Sequence, residues 1–518
     1  MPTSRLATGK PLRKYSVMDF SGGVDKKTSP NLLATLPKFK NRLTDSTDCA
    51  YPHSSGVSKR EDIVAYNTTT LGASVRIIGG YQFRHSNGTD YNLAATNDGR
   101  VVRLNTDGTT TTIKSGLSVA TQATMRQFGD LLLYTDRVNA PQSWDGTTWQ
   151  ALAGTPPTTG GPVAVHSNRA FMLDATNQRR ISWSKLGDAE NWTAASDAGS
   201  VIVTGRLSSP LVFLLEMTSE LLLGHRDYVT RLQGTAPSTY AITNAIPAQV
   251  SIGGASIHGA VFGNNDGWWI SQRGIHNLST TLNFGDYEER FASTNIDPYF
   301  VPNTGLTISL SGLASADAAY DQQNNRLYFS VDTNDDGQND TVFVRDIATN
   351  GWSVWSVTSN AIWTAVTGSN GIEVFFGGYD GFVRKLTAGG TTNAISGSFS
   401  HISNLGLPFW QKNPRHIYVY LEEAGAGNLT VTQAFDFGTT GGQVYSVSML
   451  STSALLGTTF TLGTSVLGGR DQIVKRLDTT GLGEFMELTF SNAQAGQPFT
   501  VYGYEVLFRE RRHVARAS

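Results

Sequence analysis

The chain has 518 residues, of which 54 are Gly and only 16% are charged, and its formal net charge is −2. It exceeds the roughly 250–300 residues at which a single hydrophobic core stops growing, so we expect two or three domains. The low charge argues against long solvated helices, and the 39% hydrophobic share argues against global disorder. Without a basic excess, tight binding of nucleic acid over a wide surface is also disfavoured.

Cysteine usage and the N-terminus indicate where the chain folds. The single cysteine, Cys49, excludes an intramolecular disulfide and fits a reducing cytoplasm, and we expect it to be an inert packed thiol. No stretch approaches the roughly 18 apolar residues of a membrane helix, and the N-terminus lacks the apolar segment of a signal peptide. The first residues are instead basic, either as a flexible tail or as an arm that contacts a neighbouring subunit, with Arg5, Lys10, Arg13 and Lys14.

Short strand–turn–strand phrases repeat along most of the chain. Four dipeptides stand before β-branched or aromatic runs: Asp98-Gly99, Asp145-Gly146, Asp266-Gly267 and Asp380-Gly381. Asp-Gly suits the two positive φ values of a type I′ hairpin turn. These phrases therefore predict the tips of antiparallel hairpins.

The spacing of these strands predicts a β-propeller. Units of about 35–48 residues match four short strands per propeller blade. We therefore predict six or seven blades over residues 71–392. The units are 76–117, 118–154, 160–203, 205–247, 255–300, 310–357 and 359–392.

The two ends of the chain have a different pattern. Residues 416–422, 428–435 and 499–509 alternate in a two-residue period, which is typical of strands with one buried face. Residues 393–518 are therefore predicted to form a β-sandwich-like domain. Residues 1–70 are less regular, and we expect an N-terminal arm packed with this C-terminal domain. The predicted fold class is all-β.

One hairpin has the spacing of a cation-binding loop. Residues 332–340 place oxygen-bearing side chains at loop positions 1, 3, 5 and 9, with Gly at position 6 for the sharp turn. Phe343 stands where an EF-hand has its bidentate Glu, so the segment resembles the calcium hairpins of integrin-type propellers. The alternative is an acidic hairpin tip kept soluble by its charges. The candidate ligands of a structural Ca²⁺ are Asp332, Asn334, Asp336, Asp340 and the Gln338 carbonyl; no other cofactor is expected.

Catalytic fingerprints are missing from the sequence. The nine histidines show no zinc-type spacing, and no nucleophile elbow, P-loop or dinucleotide fingerprint occurs. Residues 143–149 resemble the Asp-box of sialidases with one spacer missing, an element that is structural and not catalytic. We therefore expect no enzyme and no catalytic residue. A glycosidase is the less favoured alternative, since it needs two placed carboxylates.

Several phrases resemble proteins of short-tailed bacteriophage tails. They are residues 19–24 (Asp-Phe-Ser-Gly-Gly-Val), 180–184 (Arg-Ile-Ser-Trp-Ser), 221–226 (Leu-Leu-Leu-Gly-His-Arg) and 499–506 (Phe-Thr-Val-Tyr-Gly-Tyr-Glu-Val). On these phrases the chain resembles the podovirus tail nozzle family, also called tail hub or tail tubular protein B.

The resemblance implies a homo-hexameric ring in the virion tail, assembled in the host cytoplasm, that conducts the genome during ejection. The implied partners are the tail adaptor ring, tail fibres or spikes, and double-stranded DNA that passes without tight binding. A receptor- or glycan-binding propeller of a virion is the alternative. The candidate subunit contacts are basic side chains at both ends: Arg5, Lys10, Arg13, Lys14, Arg509, Arg511, Arg512 and Arg516.

Overall fold

The protein is described from a computed structural model that covers residues 11–35, 41–50, 56–204, 209–244, 252–278, 292–302, 304–366, 371–387, 393–424, 427–438, 440–450 and 472–513. The chain divides into two compact units. The first contains Met1–Asp62, Asp346–Trp355 and Ala388–Ser518, and the second contains Ile63–Arg345 and Ser356–Thr387. The second unit thus begins at Ile63, where the sequence suggested residue 71, and Asp346–Trp355 belongs to the first unit.

Strands dominate both units. The N-terminal elements of the first unit are β1 (Arg13–Val17), α1 (Pro30–Leu33), β2 (Asp45–Thr47), β3 (Cys49–Ala50) and β4 (Val57–Lys59). The other helical segments are short: Ala194–Ser196, Pro237–Thr239, Thr294–Tyr299, α2 (Leu310–Ala314) and Asp436–Gly438. None of the helices in the described ranges is long and apolar enough to cross a membrane.

The second unit opens with β5 (Asp62–Ala65) and continues with four consecutive antiparallel sheets. Their strands are β6 (Ile77–Arg84), β7 (Asp90–Thr96), β8 (Arg100–Leu104) and β9 (Thr110–Lys114); β10 (Thr124–Phe128), β11 (Leu131–Thr135), β12 (Gln142–Trp144) and β13 (Trp149–Ala151); β15 (Gly160–His166), β16 (Arg169–Asp174), β17 (Arg180–Trp183) and β19 (Gly199–Ile202); and β20 (Leu211–Glu216), β21 (Leu221–His225), β22 (Val229–Gln233) and β23 (Ala241–Asn244). The two-residue strands β14 (Ala153–Gly154) and β18 (Asn191–Trp192) pair in parallel beside them.

Three further groups of strands complete the second unit. They are β24 (Ala260–Gly263), β25 (Asp266–Ser271) and β26 (Gly274–Asn277); β27 (Asp317–Asp321), β28 (Arg326–Val331) and β29 (Thr341–Asp346); and β31 (Ala361–Val366), β32 (Ile372–Gly377) and β33 (Val383–Thr387). Strand β30 (Trp352–Ser356) lies almost entirely in the first unit. Strand β5 joins the last group as its fourth strand, so the beginning of the unit closes its final sheet.

These sheets are the blades of a β-propeller. The innermost strands β6, β10, β15, β20, β24, β27 and β31 approach one another in that order within 8 Å between Cα atoms, and β31 returns to β6. In the part of the chain that the structure describes, the circle therefore contains seven blades, and the predicted propeller is confirmed.

The hairpin tips follow the predicted chemistry only in part. Gly99, Gly146 and Gly381 have φ values of +82°, +93° and +75°, as their turns require, but the Asp before each Gly is not in the left-handed region, so these are not type I′ turns. The prediction for Asp266-Gly267 is wrong, because this pair lies inside β25. The tip before it uses Asn264 and Asn265 with φ of +52° and +58°, since Asn tolerates this conformation better than most residues.

The first unit is a β-sandwich, as predicted for the C-terminal region. Its C-terminal strands are β34 (Gly397–Ser403), β35 (Trp410–Glu422), β36 (Asn428–Phe435), β37 (Thr440–Ser448), β38 (Gln472–Asp478), β39 (Met486–Asn492) and β40 (Thr500–His513). One sheet has the order β3-β4-β40-β35-β38, with β1 also paired to β40, and the other runs β30-β2-β34-β39-β36-β37. The inner faces share one core in which Phe399 and Phe490 meet Val419 and Tyr504.

Candidate functional site

The innermost strands of the propeller surround a cavity of about 720 Å³. Its lining comes from all seven innermost strands or the residues beside them. Because the first strand of every blade takes the same place around the axis, strand starts lie at one end of the cavity and strand ends at the other. Charged and polar side chains gather at both ends.

Three side chains form the strand-start cluster, Thr124, His258 and Asp317. Thr124 and Asp317 are the first residues of β10 and β27, and His258 stands two residues before β24. The Thr124 Oγ1 lies 3.1 Å from His258 Nε2, and the Asp317 Oδ2 lies 3.5 Å from His258 Nδ1. Burial raises the pKa of the Asp317 carboxyl, although hydrogen bonds from His258 and from the backbone N–H groups of Ala318 and Ile362 oppose this rise.

In acyl transfer, an imidazole that is oriented by a carboxylate activates a hydroxyl as the nucleophile, and the same three groups stand in a row here. Here they come from the second, fifth and sixth blades, so the contacts also join strands that are distant in sequence. Thr124 and Asp317 are only 8% and 6% exposed. The arrangement can hold or move a proton at His258, and its contacts connect three blades around the cavity.

Three charged side chains form the strand-end cluster, Arg84, Arg126 and Glu216. Arg84 ends β6 and Glu216 ends β20, whereas Arg126 is the middle residue of β10. The Gln127 side chain connects the first two strands, because its Oε1 accepts the Arg84 N–H at 3.0 Å and its Nε2 donates to the Arg84 carbonyl at 2.6 Å. Burial within the cavity raises the pKa of Glu216, opposed by Arg126 and by the Val165 N–H.

Neither cluster could be recognised in the sequence, and the reason is physical. Thr124 and His258 are 134 positions apart, and no short motif joins them. Only an alignment of the blades could have shown that Thr124 and Asp317 both begin innermost strands.

Hydrogen bonds within the loop fix the shape of the predicted calcium hairpin. Asp332 is buried, and its carboxylate accepts the N–H groups of Asn334, Asp335 and Gly337. Asp340 accepts from Thr333. Searched within the described residues, no group of three or more His, Cys, Asp or Glu could hold a metal ion. The calcium site stays a prediction.

The remaining oxygen groups of this hairpin serve its own turn. The Asn334 Nδ2 donates to the Asp336 carboxylate at 3.2 Å, and the same carboxylate accepts the Gln338 N–H at 2.8 Å. Asp335, which was not among the predicted ligands, accepts from the hydroxyls of Ser309 and Ser311. The loop is therefore held by internal hydrogen bonds.

The predicted subunit contacts lie partly outside the described residues. This applies to Arg5, Lys10 and Arg516, and the side chain of Arg512 is not described either. Arg13 pairs with Glu510, and Lys14 lies 2.5 Å from Glu505, so both have partners within the same chain. Arg509 and Arg511 lie in β40. Contacts of these side chains with another subunit stay predictions.

Cys49 and residues 143–149 were both expected to have structural roles. Cys49 is fully buried, and burial raises the pKa of its thiol strongly, which suits an inert packed cysteine. In the Asp-box-like segment, the Asp145 Oδ1 accepts the N–H groups of Thr147 and Thr148, and the rings of Trp144 and Trp149 stack at 5.9 Å. The segment thus shapes a hairpin.

Comparisons with known proteins were made at three levels. No protein-family model matches the chain. No curated protein matches it. Among solved structures, it is similar to virginiamycin B lyase from Staphylococcus aureus, with a TM-score of 0.42 and 13% identity over 64% of this chain and 99% of the other.

Two further solved structures have comparable similarity. The extracellular domain of the putative one component system BT4673 from B. thetaiotaomicron has a TM-score of 0.41 and 13% identity, over 65% of this chain and 41% of the other. The WD40 β-propeller domain of Doa1 has a TM-score of 0.40 and 12% identity, over 64% of this chain and 97% of the other.

Proposed function

We propose that the chain is a non-enzymatic structural subunit of a short-tailed phage tail, a nozzle or hub whose copies form a ring around the path of the genome. The supporting observation is a set of exposed aliphatic side chains, two of them on outer strands of the sandwich and one just beyond the end of such a strand. Val444, Leu450 and Val474, the edge patch, are 70%, 45% and 51% exposed.

The edge patch lies where the sandwich can accept another chain. Among the described strands, β37 and β38 are the outermost members of their sheets. Hydrogen bonds connect the two edges beyond the strand ends: the Lys475 Nζ donates to the Leu450 carbonyl at 2.8 Å, and the Gln443 Nε2 donates to the Thr480 Oγ1 at 2.7 Å. Outer strands with exposed aliphatic groups favour association, and a closed ring of identical subunits buries each such surface once.

Charge supports a passage that does not hold DNA. The net charge of −2 provides no large cationic surface for phosphates, so a ring of such subunits would let DNA pass without the affinity that comes from counterion release. The phage-like phrase near the N-terminus supports a structural role too, since its Phe20 is fully buried in the sandwich core. A hexamer, the tail adaptor ring and fibres or spikes belong to the same proposal.

The test compares two valines that are equally exposed. Val444 in the edge patch and Val119 in the propeller are both 70% exposed. We expect wild type to form rings in negative-stain images and an oligomer in size exclusion, V444K to lose most of that oligomer, and V119K to keep it. A wild type that stays monomeric at all concentrations, or an equal effect of both substitutions, would contradict the proposal.

A second candidate is a receptor- or glycan-binding propeller of a virion, and the cavity with its charged ends favours it. Pockets of about 300–1,000 Å³ suit small ligands, and this cavity lies in that range. A phage that lacks the protein separates the two functions. Loss of packaged DNA favours the nozzle, whereas complete tails that fail only to adsorb favour the receptor-binding propeller.

A further inference from the structure

We propose that the propeller cavity binds a small sugar acid, a hydroxyl-rich molecule with one carboxylate, through Arg84 and Arg126. This inference does not depend on ring assembly and deepens the second candidate function, on which it rests. It is carried by the partners of the two guanidinium groups, by the charge of the strand-end cluster and by one exposed aromatic ring.

Among the described residues, neither guanidinium group forms a salt bridge, although Arg126 acts on Glu216 over a longer distance. In the described part of the chain, Arg126 donates to the Met125 carbonyl at 2.9 Å and lies 5.8 Å from the centre of the Tyr81 ring. Arg84 donates to the Gln82 Oε1 at 3.2 Å. No carboxylate among the described residues lies within 4.0 Å of either group. Guanidinium groups with free donors in a concave site favour carboxylates, which they bind in a planar, bidentate geometry.

The charge of the cluster favours a single negative charge on the ligand. The cluster contains two guanidinium groups and one carboxyl, Glu216, on which Arg126 acts, so it has an excess of one positive charge when Glu216 is ionised. A dianion such as phosphate would leave an uncompensated charge beside Glu216, where desolvation already disfavours the charged form. A monocarboxylate balances the cluster.

The other walls suit a sugar ring. Phe262 lines the cavity and is 38% exposed, so its ring offers an apolar surface for the C–H face of a pyranose. Beyond the hydrogen bond from the Val165 N–H, the Glu216 carboxylate can accept from sugar hydroxyls, which an unsubstituted fatty acid does not provide. The cavity volume of about 720 Å³ accommodates one or two sugar units.

Glucuronate is the probe, and glucose and inorganic sulfate are its controls, in calorimetry or ligand-observed NMR with the full chain. We expect saturable binding of glucuronate and at least tenfold weaker binding of glucose and sulfate. Sulfate binding of equal strength would overturn the sugar-acid assignment, because it would indicate a general anion site. Absence of saturable glucuronate binding would overturn the proposal itself. Rings formed by the same protein would leave the nozzle proposal standing in that case.

A matched pair of arginines tests the site. Arg103 also lies over a tyrosine ring, 4.7 Å from the centre of Tyr91, but it does not line the cavity. We expect R126Q to weaken glucuronate binding at least tenfold and R103Q to leave it unchanged, with both variants melting cooperatively as wild type does. Equal effects of the two substitutions would contradict the assignment. E216Q should bind glucuronate as tightly as wild type or more tightly, because a like charge is removed while Gln keeps one acceptor oxygen for the sugar hydroxyls. Weaker binding would contradict the placement of the ligand carboxylate at Arg84 and Arg126.

Discussion

The propeller and the sandwich bury their strands in different ways. In the propeller strand β16, all six residues from Arg169 to Asp174 are buried. In the sandwich strand β39, buried residues alternate with partly exposed ones. A middle strand of a blade has a neighbouring blade on each face, whereas a sandwich strand has a core on one face only.

The consequence is visible in neighbouring side chains. Phe171 packs in a cluster with the fourth blade, and Met172, the next residue, packs in a cluster with the second blade. In β39, Phe490 belongs to the single sandwich core, and Ser491 is partly exposed. Adjacent positions in the propeller therefore serve two interfaces, and adjacent positions in the sandwich serve a core and a surface.

Alanine substitutions at these positions should give the largest effects. We expect F171A and F490A each to lower the free energy of unfolding by about 3–5 kcal/mol and M172A by about 2–5 kcal/mol, because each leaves a cavity in a packed core. S491A should change it by only about 0.5 kcal/mol. Denaturant unfolding of the four variants measures this. An M172A variant as stable as wild type, or an S491A variant destabilised as much as F490A, would contradict the contrast between the two regions.

Acid should destabilise the propeller more than the sandwich. Burial lowers the pKa of His225 to about 4 and of His276 to about 3 in the propeller, and of His401 to about 4 in the sandwich. The unfolded chain binds these protons near pH 6.5, but the folded chain does not. Stability is therefore full above pH 6.5, falls as the pH drops, and levels off below the folded pKa.

Each unit of pKa difference between the folded and unfolded chain corresponds to about 1.4 kcal/mol. At pH 5, each of these buried histidines should therefore lower the free energy of unfolding by about 2 kcal/mol relative to pH 7. Melting curves at pH 7 and pH 5 measure the loss. H225N and H276N should reduce it, and H416N, at a partly exposed position, should not. The same loss in H225N as in wild type would show that other groups cause the acid sensitivity.

The sequence predicted the parts of the fold that local chemistry determines. Strand alternation such as that of β36 identified the sandwich, because one buried face imposes a two-residue period. Blade spacing identified the propeller. The clusters at the cavity ends could not be predicted, since Arg84, Arg126 and Glu216 come to line one cavity only when separate blades close into a circle. The Asp266-Gly267 turn failed because the neighbouring Asn264-Asn265 took its place.

A more local effect is expected at the acidic hairpin of residues 332–340, which can be compared with an ordinary hairpin tip of the propeller. The Asp332 carboxylate accepts hydrogen bonds from three backbone N–H groups, so D332A should lower the free energy of unfolding by about 1–3 kcal/mol even without calcium. D336A removes a more exposed carboxylate and should leave the calcium-free melting temperature nearly unchanged. If the hairpin binds Ca²⁺, wild type melts higher in millimolar Ca²⁺, and both substitutions abolish that rise.

The control is D107A in the tip between β8 and β9, where Asp107 caps its turn through Thr109. D107A should retain the full calcium-dependent rise, because its tip lacks the spacing of oxygen groups that residues 332–340 have. A wild type whose melting temperature does not rise in Ca²⁺, together with a destabilised D332A, would establish the alternative: an acidic tip in which Asp332 acts only on the backbone of its own turn.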